Sequence, residues 1–443
     1  MKIHILIVFL FFRVIGFAQI TNANQSQMVW TLNDCINYAI EKNITIKDAE
    51  LSKDNADVNL MASKSSRLPN LTGSAAQSLS FGNSIDPITS DFVSQHINST
   101  NLGVNTSITL FQGNQINNQI AQDKLSLNQS LFNVEESKNN IKLSILEAYL
   151  QALYNKESIV VAENNLLASE KELERAKSRL DVGTIAMNDY TDALSQAATN
   201  KYNVISAKNS YEQQILTLKQ LLELGPLDTL EIEEIDENTS LVNLVPDKMA
   251  VYKQALENLP ELKASELNVA ISEKDLDIAK GSYLPTLSLT GSLGSGYTSI
   301  DYTNFVDQLD VNFNQKVGLS LSIPIFNRNQ TKAQVKRAEI NIDKSKLQLA
   351  STGKEIFKKI ETAWQNSVSA QEQLLAAESS RNAALESYKL AQKKYELGAL
   401  STTDLVVSQN TYTNAEQNYI QAKYLSILYY QLLQFYQGNK IKL

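Results

Sequence analysis

Residues 114–182 decide the fold, because neither glycine nor proline occurs among them: NQINNQIAQDKLSLNQSLFNVEESKNNIKLSILEAYLQALYNKESIVVAENNLLASEKELERAKSRLDV. The apolar residues of this stretch recur at helical spacing, with polar residues between them. They include Ile116, Ile120, Leu127, Leu131, Ile141 and Ile145. A single helix over this stretch would be about 100 Å long. A helix of that length cannot fit inside a globule, so the stretch predicts a bundle of long helices.

A second long helix is predicted near the C-terminus. Gly353 is the single glycine of residues 327–396, and no proline follows Pro324. Ile356, Ile360 and Trp364 continue the helical spacing. The whole chain is poor in residues that interrupt helices, since 15 glycines and 7 prolines make up about 5% of its 443 residues, against an average of about 12%. The predicted fold class is therefore mainly α with a small β part.

The equal lengths of the two long helices reflect an internal repeat of the chain. Landmarks recur at an offset of 216 residues as far as Pro69 and of 215 residues from Phe111 on, so the one-residue change falls within residues 70–111. They are Ala39 with Ala255, Leu51 with Leu267, Pro69 with Pro285, Phe111 with Phe326, Gly183 with Gly398, and Asp189 with Asp404. This predicts a first repeat over residues 19–224 and a second over 248–443. Residues 225–247, which carry an acidic run, are expected to form a linker or a small side element.

Shorter helical stretches flank each long one. Residues 33–67 and 189–224 are predicted helices of the first repeat, and residues 248–282 and 401–436 of the second. In each repeat the two short helices together are about as long as the long helix. We therefore expect the short helices to stack end to end beside the long one.

Between the helices, each repeat contains two segments in which apolar and small polar residues alternate. They cover residues 71–80, 102–110, 287–293 and 317–323. This period and length are typical of tilted strands that cross a bilayer, and equally of a half-buried soluble sheet. The absence of charged residues from 71–80, 102–111, 287–299 and 317–326 favours the membrane interpretation. Four strands are too few for a membrane barrel, so the strands are expected to contribute to a transmembrane β-barrel shared between copies.

The N-terminus resembles an export signal. Residues 1–18 contain a basic start, an apolar core and a small residue at the end, which predicts a signal peptide cleaved before Gln19. The alternative is a short membrane anchor, although the apolar run is too short to span a bilayer. After residue 18 no apolar run is long enough for a transmembrane helix.

Composition argues against most kinds of catalysis and ligand. The chain contains two histidines and one cysteine, which excludes His-based zinc sites, Ser-His-Asp catalysis and disulfides. The net charge is −8 without a basic cluster, which excludes nucleic acid as a partner. No cofactor motif and no metal-ligating pattern is present, so we expect neither an enzyme nor a cofactor.

With these features the sequence resembles the TolC family of outer-membrane efflux and secretion channels. The resemblance covers nearly the whole chain after the signal peptide. It rests on residues 30–39 (WTLNDCINYA), 68–71 (LPNL), 284–287 (LPTL), 321–326 (LSIPIF), 180–183 (LDVG) and 395–398 (YELG). It implies a homotrimer in outer-membrane lipid with a helical tunnel in the periplasm. It also implies a periplasmic adaptor and an inner-membrane transporter as partners, in a tripartite efflux or type I secretion system.

The resemblance places the functional residues at the two turns that follow the long helices. It implies helix-tip turns that contact the adaptor at Gly183, Thr184, Gly398 and Ala399, and a periplasmic gate at Asp404, Asp189 and Leu400. The alternative is purely structural: the glycines end their helices, and the aspartates cap the helices that return. Leu400 stands where some members have a basic residue, so a gate locked by a salt bridge at that position is not expected.

A different class of function stays open. An exported helical coiled-coil protein that serves as a surface or scaffolding component of the cell envelope would show the same long helices. Its strands would then form a soluble sheet.

Overall fold

The computed structural model describes residues 29–85, 88–94, 96–235 and 244–442. The predicted signal peptide, residues 1–18, lies outside the described residues. The first repeat contains β1 (Val29–Trp30), α1 (Leu32–Lys42), α2 (Ile44–Ser65), β2 (Asn70–Ser80), β3 (Asn83–Ile85), β4 (Phe92–Ser94), β5 (Ile97–Gln112), α3 (Gln115–Asp181) and α4 (Met187–Leu221). Then follow β6 (Glu231–Ile232), α5 (Lys248–Asn258), α6 (Pro260–Gly281), β7 (Thr286–Thr298), α7 (Phe305–Val311), β8 (Asn314–Ser322), α8 (Gln330–Glu396) and α9 (Thr402–Tyr436).

The structure confirms the internal repeat helix by helix. The long helices α3 and α8 both have 67 residues, and the returning helices α4 and α9 both have 35. The helices that precede the strands also match, since α1 and α5 have 11 residues and α2 and α6 have 22. The predominantly helical fold with few strands is therefore the one that the sequence predicts.

The prediction of one continuous helix over residues 33–67 is wrong, because the chain bends at Asn43. This residue is extended, with φ −60° and ψ 130°, and its side chain accepts a hydrogen bond from the Thr45 backbone N–H at 2.9 Å. Its amide nitrogen donates to the Leu221 carbonyl at 2.9 Å. The bend is thus held by a contact with the end of α4, which is distant in sequence.

The predicted helix over residues 248–282 is divided in the same place but by different chemistry. Leu259 is extended, with φ −72° and ψ 125°, and Pro260 begins α6. Proline has no N–H and disfavours helical geometry in the residue before it, so it ends α5 and starts the next helix. The two repeats therefore share the bend but not the residue that makes it.

The long helix α3 lies at the centre of the subunit. It packs against α2 and α6 on the side of the sheet, and against α4 and α9 further along. Helix α8 packs against α6 and then along α9. This confirms that the shorter helices stack beside the long ones.

The main core lies where α1, α3, α4 and α9 meet. Cys35, Ile145 and Leu146 are fully buried there. The hydroxyl of Tyr149 lies 3.0 Å from the carbonyl oxygen of Trp30 and 2.9 Å from that of Glu233. Glu233 belongs to residues 225–247, predicted as a linker or side element, and its neighbour strand β6 pairs in parallel with β1. The described part of this segment is therefore a side element joined to the core.

Four antiparallel strands form the principal sheet in the order β2-β5-β7-β8. The register places Val104 opposite Leu293 and Leu289 opposite Leu319 on one face, and Asn105 opposite both Thr72 and Ser292 on the other. Paired residues share a face, so the predicted apolar and polar faces are both confirmed. The register shifts between Thr109 and Phe111, so Phe111 lies opposite Leu287.

The strands lead into the long helices through two consecutive left-handed residues. Gly113 and Asn114 have φ values of 55° and 59°, and Arg328 and Asn329 have 53° and 60°. The same reversal thus occurs in both repeats. In the first, the backbone of Gly113 lies directly against that of Gly281 at the end of α6.

Within the described ranges, no helix combines the length and the apolar character needed to cross a bilayer.

Candidate functional site at the helix tips

Both long helices end at a glycine of positive φ. Gly183 has φ 74° and Gly398 has φ 73°, a conformation that glycine adopts without steric cost. The chain reverses at each glycine within a few residues and enters α4 or α9. No described heavy atom lies within 4 Å of a Cβ built on either glycine, so backbone conformation rather than crowding favours glycine there.

The residues after the two glycines close the helix ends. The Thr184 N–H donates to the Arg179 carbonyl at 2.9 Å, and the Ala399 N–H donates to the Lys394 carbonyl at 2.8 Å. This six-residue closure satisfies carbonyl groups that the helix end would otherwise leave unpaired. The four predicted turn residues therefore have a clear structural role, as the structural alternative expects. This role does not prevent the same residues from contacting a partner.

The two predicted gate acids cap their own helices. The Asp189 carboxylate accepts a hydrogen bond from the Ala186 backbone N–H at 3.3 Å. The Asp404 carboxylate accepts one from the Ser401 hydroxyl at 2.7 Å, and Ser401 Oγ in turn accepts from the Asp404 backbone N–H. Asp404 is exposed, whereas Asp189 is half-buried. Capping thus leaves the Asp404 carboxylate the more accessible of the two.

Leu400 is half-buried and packs within its own hairpin. It lies against a small cluster formed by Ala391, Tyr395 and Leu405, which joins the end of α8 to the start of α9. Leu400 thus helps to fix the shape of the turn. The structure brings Leu400 and Asp404 into one turn, and places Asp189 in the other.

An arginine that no sequence motif marks connects the two hairpins near their tips. Arg175 on α3 forms ion pairs with Glu172 at 3.0 Å and with Glu396 at the end of α8 at 3.2 Å. One turn further on, the Arg179 guanidinium lies 5.1 Å from the centre of the Tyr395 ring. These contacts show that both tips lie at the same end of the subunit. No motif indicated them, because the partners are more than 200 residues apart.

Glu172 is the unusual member of this cluster. Its Oε1 binds Arg175, while its Oε2 is buried and has no hydrogen-bond partner among the described residues. Burial raises the pKa of the Glu172 carboxyl above its ordinary value of 4.5; nearby Arg175 opposes the rise, and Glu396 adds to it. The ionised form is therefore disfavoured in the folded protein.

Glu172→Gln is expected to remove a pH dependence of stability. Because the folded-state pKa is raised, the folded protein binds the proton more tightly than the unfolded chain. The free energy of unfolding therefore falls as pH rises from the ordinary pKa through the raised one. Thermal unfolding of the detergent-solubilised protein between about pH 4 and pH 8 measures this. The variant should lose part of the decline, and Glu174→Gln, at an exposed neighbour, serves as the control. An unchanged profile in Glu172→Gln would contradict the assignment.

A neutral polar groove lies along the same hairpins. It has a volume of about 600 Å³, with α3 as its floor and α4 and α9 as its walls, and none of its lining residues is charged. Asn165 on α3 accepts from Asn200 of α4 at 3.1 Å through its backbone carbonyl and from Thr413 of α9 at 3.0 Å through its side chain. The lining includes Asn155, Ser158, Asn203, Ser210, Asn414 and Gln417. This surface suits hydrogen bonding with an uncharged partner.

The described part of the chain contains no group of three or more His, Cys, Asp or Glu residues placed to hold a metal ion.

Known proteins share this sequence pattern and fold. The chain is 22% identical over 409 residues to the outer membrane efflux protein BepC of Brucella suis biovar 1, across 90% of this chain and 85% of BepC. It is 23% identical over 419 residues to the outer membrane protein TolC of Salmonella enteritidis, across 93% and 82% of the two chains. The crystal structure of the Campylobacter jejuni CmeC outer membrane channel superposes with a TM-score of 0.78 at 19% identity. The match covers 93% of this chain and 87% of CmeC.

The family model for outer membrane efflux proteins matches two segments of the chain. They are residues 35–223 and 251–437, one in each repeat, and together they include most of the chain. The interval between them corresponds to the side element. We conclude that the chain belongs to the outer membrane efflux protein family and is a channel of the outer membrane.

Proposed function

We propose that this outer-membrane channel is the passive exit duct of a tripartite efflux or type I secretion system. It assembles from three copies, contacts a periplasmic adaptor and an inner-membrane transporter, and is gated at its helix tips. It performs no enzymatic reaction. One observation carries the proposal: in a single subunit, both the sheet and the layer of helices end in unpartnered elements on two sides.

The sheet is open at β2 and at β8. Within the described chain, each of these strands pairs on one side only. Unpaired backbone groups cost several kcal/mol each when they face lipid. Both edges therefore need a partner strand, and the free edge of β2 in one copy is suited to the free edge of β8 in the next.

The helices of the subunit, like its sheet, are unpartnered on two sides. First-repeat helices α2 and α4 lie on one side of the subunit, and α8 lies on the other. On α2, Ile44, Leu51 and Val58 form an exposed stripe at seven-residue spacing, and Ile340 and Leu347 repeat that spacing on α8. Exposed apolar residues at heptad spacing are typical of helices that pack against a partner helix. The unpartnered stripes thus lie on the same two sides as the open sheet edges.

Charge is complementary between these two sides. Helix α2 carries three basic and four acidic residues, whereas residues 330–360 of α8 carry eight basic and three acidic ones. A contact between α2 of one copy and α8 of the next joins two different surfaces, so it is head-to-tail. Such contacts generate a ring when the rotation closes. Three copies would bring together about twelve strands, whereas the smallest membrane barrels have about eight strands.

The adaptor contact is proposed at the tips and in the neutral groove further along the same hairpins. The turns at Gly183, Thr184, Gly398 and Ala399 are exposed, and their backbone groups already close the helices. The groove between α4 and α9 offers uncharged amide and hydroxyl groups. A polar helical hairpin of the adaptor is a partner of suitable shape and chemistry for this groove.

Native mass measurement in detergent, followed by recording in planar bilayers, tests the proposal. We expect three copies per particle and a stable conductance. A folded monomer would contradict the shared sheet. Recovery of the protein from the soluble periplasmic fraction without detergent would favour the scaffolding alternative instead.

Asp404→Asn is expected to reduce the preference of the channel for cations. Three exposed Asp404 carboxylates at a closed tip would attract cations and repel anions. Folding and trimer formation should persist, because asparagine can still accept the hydrogen bond from Ser401. Asp189→Asn should change ion preference less, since Asp189 is half-buried. Reversal potentials in a salt gradient measure the effect, and equal values in parent and Asp404→Asn channels would assign the acid to capping alone.

A further inference from the structure

One lysine differs from every other residue of the principal sheet. Lys316 is the only residue of β2, β5, β7 and β8 that is charged at neutral pH. It is the third residue of β8 and is exposed. The uncharged segment predicted from the sequence begins at residue 317, so Lys316 lies just outside it. A single charge in four strands needs a physical explanation.

The register places Lys316 on the polar face of the sheet. It lies opposite Ser292 of β7, which lies opposite Asn105 of β5, which in turn lies opposite Thr72 of β2. Residues paired in this way share a face. Lys316 is therefore the only cation in a row of small neutral polar side chains that crosses the whole sheet. Ser292 is the middle residue of β7, so the row crosses that strand at its midpoint.

The polar face is also the concave one. A depression of about 680 Å³ lies on the sheet around Lys316, and most of its lining residues belong to the polar face. They include Asn70, Thr72, Asn105, Thr290 and Ser292. When a curved sheet closes, its concave face becomes the interior. The Lys316 side chain would then point into the pore.

No acid of the described chain pairs with this lysine. Lys316 makes no ion pair with any residue that the structure describes. The acids nearest in sequence lie in the connection before β8, where Asp301 accepts from Thr303 and Asp307 accepts from Asn304. Asp310, at the end of α7, likewise forms no ion pair with Lys316 in the described chain. Among the residues that the structure describes, the ammonium charge is therefore uncompensated on its face of the sheet.

We propose that Lys316 sets the ion preference of the sheet-lined end of the pore and favours anionic solutes there. The inference rests on the proposed function, because it requires several copies to close the sheet around a common axis. The pore would then present carboxylates at its periplasmic tip and ammonium groups within the membrane. A different role for a lysine on an edge strand is to discourage pairing between sheets of different particles. That role predicts aggregation on substitution but no change of ion preference.

Reversal potentials in planar bilayers test the proposal. Recordings are made in the parent and in the Asp404→Asn background, in which the tip carboxylates are absent. At about 0.1 M salt, a cation at the pore wall still acts on ions near the axis, because they lie about one Debye length away. We therefore expect Lys316→Gln to raise the cation-to-anion permeability ratio about two-fold, and Lys316→Glu about four-fold.

Moving the charge to a neighbouring position of the sheet provides a matched control. Ser292 lies opposite Lys316 on the same face, whereas Gln315 lies opposite Leu293 on the apolar face. In the Lys316→Gln background, Ser292→Lys should restore the parent ion preference. Gln315→Lys in that background should lower the yield of assembled channel, because the ammonium group then lies on the lipid face, and the channels that still form should not regain the parent ion preference. Both double variants have the same composition of charges, so only position differs.

The outcomes separate this inference from the function on which it depends. A parent protein without conductance would refute the proposed channel assembly. A conducting parent with an unchanged ratio in Lys316→Gln, or equal ratios in the two relocated variants, would overturn the role of Lys316. If Lys316→Gln does not assemble, Lys316→His replaces it. That channel should favour anions below the ordinary imidazole pKa of about 6.5 and lose the preference above it. A ratio independent of pH would overturn the proposal.

Discussion

Leu289→Arg is expected to prevent stable assembly of the sheet in the membrane. Leu289 lies on the apolar face, between Ile108 of β5 and Leu319 of β8. A charged residue on the lipid face of a membrane strand costs about 2–4 kcal/mol near the middle of the bilayer and less near its surfaces. In the proposed trimer each copy carries the change, so the cost is repeated around the ring. The fraction of protein that runs as a trimer after extraction from membranes measures the effect.

Thr290→Arg is the matched control for this prediction. Thr290 is adjacent in the same strand but lies on the polar face, opposite Gly318. A charge there faces water in the proposed pore, so trimer yield should remain close to that of the parent. Leu319→Arg should behave like Leu289→Arg. If arginine is tolerated equally at 289 and 290, the apolar face does not contact lipid.

Gly113→Ala is expected to destabilise the junction between the sheet and the long helix α3. A Cβ at Gly113 would fall only 2.9 Å from the Gly281 carbonyl carbon and would overlap its oxygen. Both clashing groups are backbone, so no side chain can move aside. Gly113 also has φ 55°, which is costly for alanine. The clash and the backbone conformation together should lower the free energy of unfolding by about 2–5 kcal/mol.

Gly353→Ala separates this effect from the general consequences of replacing glycine. Gly353 lies inside α8, and no described heavy atom falls within 4 Å of a Cβ built there. Alanine in a helix interior is favoured over glycine by about 0.5–1 kcal/mol. Thermal unfolding in detergent should therefore show a lower midpoint for Gly113→Ala and an equal or higher one for Gly353→Ala. A parent-like midpoint for Gly113→Ala would show that α6 can move away without loss.

Local sequence was sufficient for the elements with a local cause. The length of α3 follows from the absence of glycine and proline between Gly113 and Gly183, and the ends of both long helices follow from the glycines themselves. The repeat was visible because duplicated residues keep their spacing. The faces of the strands followed from their period of two. Apart from the repeat, which compares two copies of one pattern, each of these features depends on neighbouring residues, which a sequence displays directly.

Contacts between distant residues decided the rest. The bend at Asn43 has no breaker residue in its sequence, and it is held by the carbonyl of Leu221, 178 residues away. The shift that pairs Phe111 with Leu287 arises from the meeting of β5 and β7, which belong to different repeats. The ion pair of Arg175 with Glu396 joins the two hairpins in the same way.

The helix turns of the candidate site were predictable in outline because their causes are local. Gly183, Gly398 and the acids that follow them were found from sequence, because helix ends and caps are local. Whether an acid is exposed or half-buried depends on what packs beside it, and only the tertiary structure distinguished Asp404 from Asp189. The face on which Lys316 lies is likewise a matter of strand register. Sequence by itself therefore determined the long helices, the duplication and the positions of the tips. The tertiary structure decided the bends, the register and the open edges, because these depend on groups that folding brings together from far apart in the chain.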